Sequence, residues 1–150
     1  MIMLNPYRPA RDIPPYVDLR RHRNQPLAES LLDAAQFLDE PDRALIVAIF
    51  RNGDTVNAVA ARRGCSRHAV SRRVRMLADR LTSPRFMFAL ACLPDWPNER
   101  QAIARACILN GRSVRDAATS LRLTLYTVRR ELHLINDLYR EAEAAAEVQR

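Results

Sequence analysis

Apolar positions recur at helical spacing along most of this chain. Leu27, Leu31, Leu32, Ala35 and Leu38 form one stripe, which predicts a helix over Leu27–Leu38. Asp39 or Glu40 is placed to cap the next helix, with Pro41 at its first position. That helix carries Ala44, Leu45, Val47, Ala48 and Ile49 and ends before Gly53. Asp54 or Thr55 then opens a short helix over Val56–Arg63, and Gly64 suits the left-handed residue that stops it. Ser66 is a good cap for a longer helix reaching about Leu81, and Ser83-Pro84 starts a further set. The last helix runs from Leu125 to about Val148. Residues 1–26 break this rhythm, because Pro6, Pro9, Pro14, Pro15 and Pro26 exclude a continuous helix.

The chain repeats itself at an offset of 58 residues. Between Leu45–Leu77 and Ile103–Ile135, seven of 33 aligned positions are identical without a gap. Asn52-Gly53 falls on Asn110-Gly111, Val56 on Val114, Ala60 on Ala118, Val70 on Val128 and Arg72 on Arg130. Each copy reads as about four helices. The expected fold class is therefore all-α: two tandem four-helix units, each containing a helix-turn-helix, with a long C-terminal helix. The expected domains are a basic Pro-rich arm at 1–26, a first unit at 27–82 and a second at 83–150.

The identities fall where two short helices crossing steeply need them. Ala60 and Ala118 supply the small contact residue, and Gly64 supplies the turn. Val70 and Val128 close the wedge, and Val74 with Leu77, or Leu132 with Ile135, continue the inward stripe. Such an arrangement exposes one face of the second helix for the major groove. In the first copy that face is Arg67, His68, Ser71, Arg72 and Arg75. In the second it is Thr124, Leu125, Tyr126, Arg129, Arg130 and His133, with Glu131 among them. Arg122 stands where the first copy has its turn glycine, and this costs strain unless the turn differs. Arg112, Arg115 and Arg122 are further candidates for phosphate contact, whereas Leu125 and Tyr126 suit thymine methyls, stacking or a protein surface.

Charge sharpens this reading. The 150 residues carry a net +7, and all 24 basic residues are arginine. Nine arginines against three aspartates lie between 41 and 81. Arginine's planar fork binds a phosphate or a guanine edge in two places at once, although a GC-rich genome also accounts for missing lysine. The arm at 1–26 holds Arg8, Arg11, Arg20, Arg21 and Arg23 against Asp12 and Asp18, and reads as a groove-binding arm or an ordinary tail.

Other chemistry is thin. Cys65, Cys92 and Cys107 are odd in number and form no CxxC pair, which fits small hydrophobes in a reducing cytoplasm better than a disulfide framework or a zinc site. His22, His68 and His133 lack ligand spacing, and the three glycines form no phosphate loop. No enzyme signature, cofactor site or metal site is expected. No apolar run approaches the ~20 residues of a membrane span, and the N-terminus has no stretch of signal-peptide type.

Both copies resemble the C-terminal, promoter-reading helix-turn-helix domain of bacterial sigma factors. In the second copy the likeness rests on Leu93-Pro94, Glu99-Arg100, Asn110-Gly111-Arg112-Ser113-Val114-Arg115-Asp116-Ala117-Ala118 and Thr127-Val128-Arg129-Arg130-Glu131-Leu132. In the first it rests on Leu38, Arg43, Gly53, Val56, Ala60, Gly64, Ser66 and Val70. The resemblance spans roughly residues 38–139 and implies DNA reading by Ser66, Arg67, His68, Ser71 and Arg72. It does not extend to promoter opening, since residues 1–40 lack the aromatic and acidic content of a promoter-melting, core-binding domain.

The expected function is sequence-specific binding of double-stranded DNA, as a bacterial or phage transcriptional regulator, with repression favoured, in the cytoplasm on the nucleoid. If both units read successive grooves, their recognition helices sit ~34 Å apart. The alternatives are a sigma-like adaptor that binds RNA polymerase or another regulator through Leu125 and Tyr126, or the DNA-binding subunit of a recombination or DNA-packaging machine. Leu132, Ile135, Leu138, Tyr139 and Ala142 stripe the last helix, whose alanine-rich end at 141–147 pairs with a second chain to make a homodimer or else frays.

Overall fold

The computed structural model describes residues 25–150; the arm expected over 1–26 falls, up to residue 24, outside the described residues. All regular structure among them is helical. The chain divides between Pro84 and Arg85 into two compact units. The divide lies two residues beyond the expected boundary at 82, because the next helix starts at Pro84 and carries its apolar face into the second unit. None of the helices among the described residues is long and apolar enough to cross a membrane.

In the first unit α1 spans Gln25–Ala35, α2 Asp42–Ile46, α3 Val56–Arg63 and α4 Arg67–Leu81. Helix α1 is shorter than the stripe to Leu38 implies. The chain tightens at its end, with Phe37 N–H on Ala34 O at 3.2 Å and Leu38 N–H on Ala35 O at 3.0 Å, and this turn still buries Leu38. Helix α2 begins at Asp42, not at Pro41, which occupies the cap position. Arg43 N–H bonds Asp39 O and Leu45 N–H bonds Pro41 O, so backbone carbonyls carry the first turn. The helix then widens into a π-turn over Val47–Arg51, closed by Asn52 N–H on Val47 O at 3.0 Å.

The second unit repeats this construction. Helix α5 spans Pro84–Cys92, α6 Asn98–Ala104, α7 Val114–Leu121 and α8 Leu125–Val148. Helix α6 runs into a π-turn over Arg105–Leu109, closed by Asn110 N–H on Arg105 O, again at 3.0 Å. The π-turns, α3 against α7, and the starts of α4 and α8 all stand 58 residues apart. Capping hydroxyls follow the same offset: Thr55 accepts from Ala58 N–H and Ser113 from Asp116 N–H, each at 3.1 Å. Ser66 accepts from Ala69 N–H and Thr124 from Thr127 N–H, also at 3.1 Å. Each such cap stabilises its helix by about 1 kcal/mol.

Both interiors are built on the small-residue contact. Ala60 and Ala118 are each 6% exposed; Val59, Val70, Val74, Leu77 and Leu81 are buried beside the first, and Ala117, Val128 and Ile135 beside the second. Ile103, Ala106, Ala117, Ala118 and Val128 form one cluster, with Val114, Leu121, Leu123 and Leu132 packed against it. Burial of each such aliphatic side chain is worth roughly 1.5–3 kcal/mol, and it fixes which face of α4 and α8 points away.

Candidate nucleic-acid interface

Helix α4 is amphipathic because its valine and leucine spacing leaves a single inward side. Val70, Val74, Leu77 and Leu81 face in. Arg67, His68, Arg72 and Arg75 are exposed, and Ser71 is half-buried. Ser66 lies exposed at the start of the helix as its cap. The turn before it is made by Gly64 at φ 66°, with Cys65 N–H on Ala60 O at 3.1 Å.

Several other arginines of this unit are tied to protein acceptors. Arg43 pairs with Glu40, Arg62 with Asp54, and Arg63 donates to Pro41 O at 2.9 Å. Arg73 makes a two-pronged pair with Asp42, Nε to Oδ1 at 2.9 Å and Nη2 to Oδ2 at 2.6 Å. The hydrogen bond to Asp42, reinforced by its charge, raises the guanidinium pKa against the effect of burial. Burial, with Arg73 nearby, lowers that of Arg80, whose Nη1 is buried and finds no hydrogen-bond partner among the described residues. None of the carboxylates among the described residues pairs with Arg67, Arg72 or Arg75.

Helix α8 opens differently. Thr124 caps it, and its hydroxyl also shares a 2.9 Å hydrogen bond with the Thr127 hydroxyl. Leu125 is 37% exposed and Tyr126 72%. Arg129 and Arg130 are exposed one turn further on. The Arg130 guanidinium lies over the Tyr126 ring, 5.8 Å from its centroid. His133 is exposed beside Asp137, Nε2 to Oδ2 at 3.7 Å, a contact that is ionic only when the imidazole is protonated.

Glu131 departs from its expected place. It does not share the outward face but is only 9% exposed, with Oε2 accepting from Arg100 Nε at 2.7 Å and Oε1 lying 3.6 Å from Arg130. A carboxylate displayed there would repel phosphate; buried and paired, it anchors α8 to α6 instead. Arg122 adopts φ 56° and ψ 41°, so the second turn keeps the left-handed geometry of Gly64 and bears its cost.

No protein-family model matches the chain, and no curated protein or solved structure matches it.

Composition and spacing left two ion pairs undetected. Asp42–Arg73 and Arg100–Glu131 occupy equivalent positions, 58 residues apart, with their charges exchanged. The signal was present as one 31-residue separation occurring twice. Cys65 is exposed in the first turn, whereas Cys92 and Cys107 are half-buried, and burial raises both of their thiol pKa values.

Proposed function

We propose that this chain is a sequence-specific double-stranded DNA-binding protein, a transcriptional regulator that represses by occupying its site, with α4 and α8 as its groove-reading helices. The observation that carries the reading is the outward side of α4. Arg67, Arg72 and Arg75 stand exposed without a carboxylate among the described residues, while Arg43, Arg62 and Arg73 beside them are neutralised. Unneutralised guanidinium groups on a rigid, capped helix are suited to phosphate oxygens and to the O6 and N7 acceptors of guanine. His68 and Ser71 add donors on the same side. The likeness to sigma-factor promoter-reading domains supports the same reading.

Selection of bound duplexes from random DNA, followed by gel shift across a salt series, tests it. A defined site is expected, with log K falling against log salt by about 0.9 for each phosphate neutralised. Arg72→Ala is expected to cost about 1–3 kcal/mol and to relax one base position; an equal loss on every sequence would make Arg72 a phosphate contact. Binding without sequence preference, or no binding at physiological salt, overturns the reading.

A further inference from the structure

The first two exposed positions of α4 and α8 are equivalent in backbone and opposite in chemistry. Arg67 and His68 follow the Ser66 cap; Leu125 and Tyr126 follow the Thr124 cap, 58 residues on, and both pairs are exposed. Residues at the start of a groove-reading helix reach base edges. A leucine there gains nothing from phosphate or from a purine acceptor. The one apolar group that the major groove presents is the C5-methyl of thymine.

We propose that the second unit reads thymine through Leu125 and Tyr126, while the first reads guanine through its arginines. This rests on the DNA-binding reading above. Charge complementarity fixes the class of partner. Arg129 and Arg130 stand four residues after Leu125 and Tyr126, hence on the same side of α8, and both are exposed, as is Arg122 in the preceding turn. The two apolar side chains therefore sit among cations, a setting that suits a polyanion carrying methyl groups and not an apolar protein groove. The guanidinium of Arg130 over the Tyr126 ring couples the two functions, since a phosphate bound by Arg130 brings the ring with it. Glu131 is turned inward onto Arg100, with its other oxygen 3.6 Å from Arg130.

The test replaces each thymine of the selected site by uracil, one at a time, which removes one methyl group and no hydrogen bond. Wild-type protein is expected to lose about fourfold in affinity at one or more positions, the value of one buried methyl. Leu125→Ala is expected to bind the thymine and uracil duplexes equally, and Leu125→Met to regain the discrimination. Helical melting curves of both variants check that the fold is kept. Equal wild-type affinity for all uracil duplexes, or discrimination that survives Leu125→Ala with Tyr126→Ala, overturns thymine reading and leaves the surface to a protein partner. Those outcomes leave the salt-dependent, site-specific binding of the whole chain in place, whereas failure to bind any duplex removes both readings together.

Discussion

In the first unit the left-handed residue between α3 and α4 is Gly64, at φ 66°; in the second, between α7 and α8, it is Arg122, at φ 56°. The backbones on either side are hydrogen-bonded alike, Cys65 N–H on Ala60 O at 3.1 Å and Leu123 N–H on Ala118 O at 2.9 Å. One copy thus has the residue its turn prefers, and the other holds the same turn with a residue that resists it. The second copy makes up the difference elsewhere. Its ion pair is the more buried, with side chains 19% and 11% exposed at Arg100 and Glu131 against 41% and 16% at Arg73 and Asp42. Its last helix is also far longer than α4. A turn that glycine makes cheaply in one repeat is held in the other by the helices on either side.

The two copies should separate most severely in the wedge. Val70→Asp is expected to place an unpaired charge in the first interior at a cost of more than about 3 kcal/mol. Circular dichroism should then lose the helical signal of one unit while the other still melts cooperatively. A single unchanged transition would show that Val70 is not buried there. Next in size are the ion pairs. Arg100→Ala leaves Glu131 buried with only the 3.6 Å contact to exposed Arg130 and is expected to cost about 3 kcal/mol. Arg73→Ala, at a half-exposed site screened by solvent, is expected to cost about 1 kcal/mol. Equal losses by urea denaturation would mean that burial does not distinguish the pairs.

Smaller effects bear on the turn. A Cβ at Gly64 meets nothing within 4 Å, so Gly64→Arg should carry only the backbone cost of about 1–2 kcal/mol. Arg122→Gly should stabilise the second unit by a few tenths to about 1 kcal/mol, because the strain relieved exceeds the freedom regained in the unfolded chain. A melting temperature that moves the wrong way in either variant would place the strain elsewhere. Last come the caps: Thr55→Ala and Ser113→Ala are each expected to cost about 1 kcal/mol, and by the same amount, since the two hydroxyls make the same 3.1 Å bond.

Much of the fold was legible locally. Val56–Arg63, Arg67–Leu81 and Leu125–Val148 stand where capping residues and apolar spacing put them, because Thr55, Ser66, Thr124 and Gly64 act over three or four residues. The exposure of Arg67, His68, Arg72 and Arg75 follows from the same spacing. What spacing did not show depends on partners distant in sequence. Glu131 stands three residues after Val128 and four before Ile135, on the inward side by period; its charge counts against burial, and the partner that compensates it, Arg100, lies 31 residues earlier. The π-turns at Val47–Arg51 and Arg105–Leu109 leave no mark in hydrophobic pattern, since they shift the register by a single hydrogen bond. Leu38 falls in step with the stripe of α1 although the helix has already ended, because a tight turn buries it as well as a helix would.

The exchanged polarity of the two inter-helix pairs has a consequence for assembly of the chain. A hybrid in which α8 settled on α2 would bring Asp42 up against Glu131, and one in which α4 settled on α6 would bring Arg100 up against Arg73. Like charges forced together in this way cost several kcal/mol. Two units built on one plan in tandem are prone to trade parts as they emerge; here the charge at one position in each half disfavours the other half's helix.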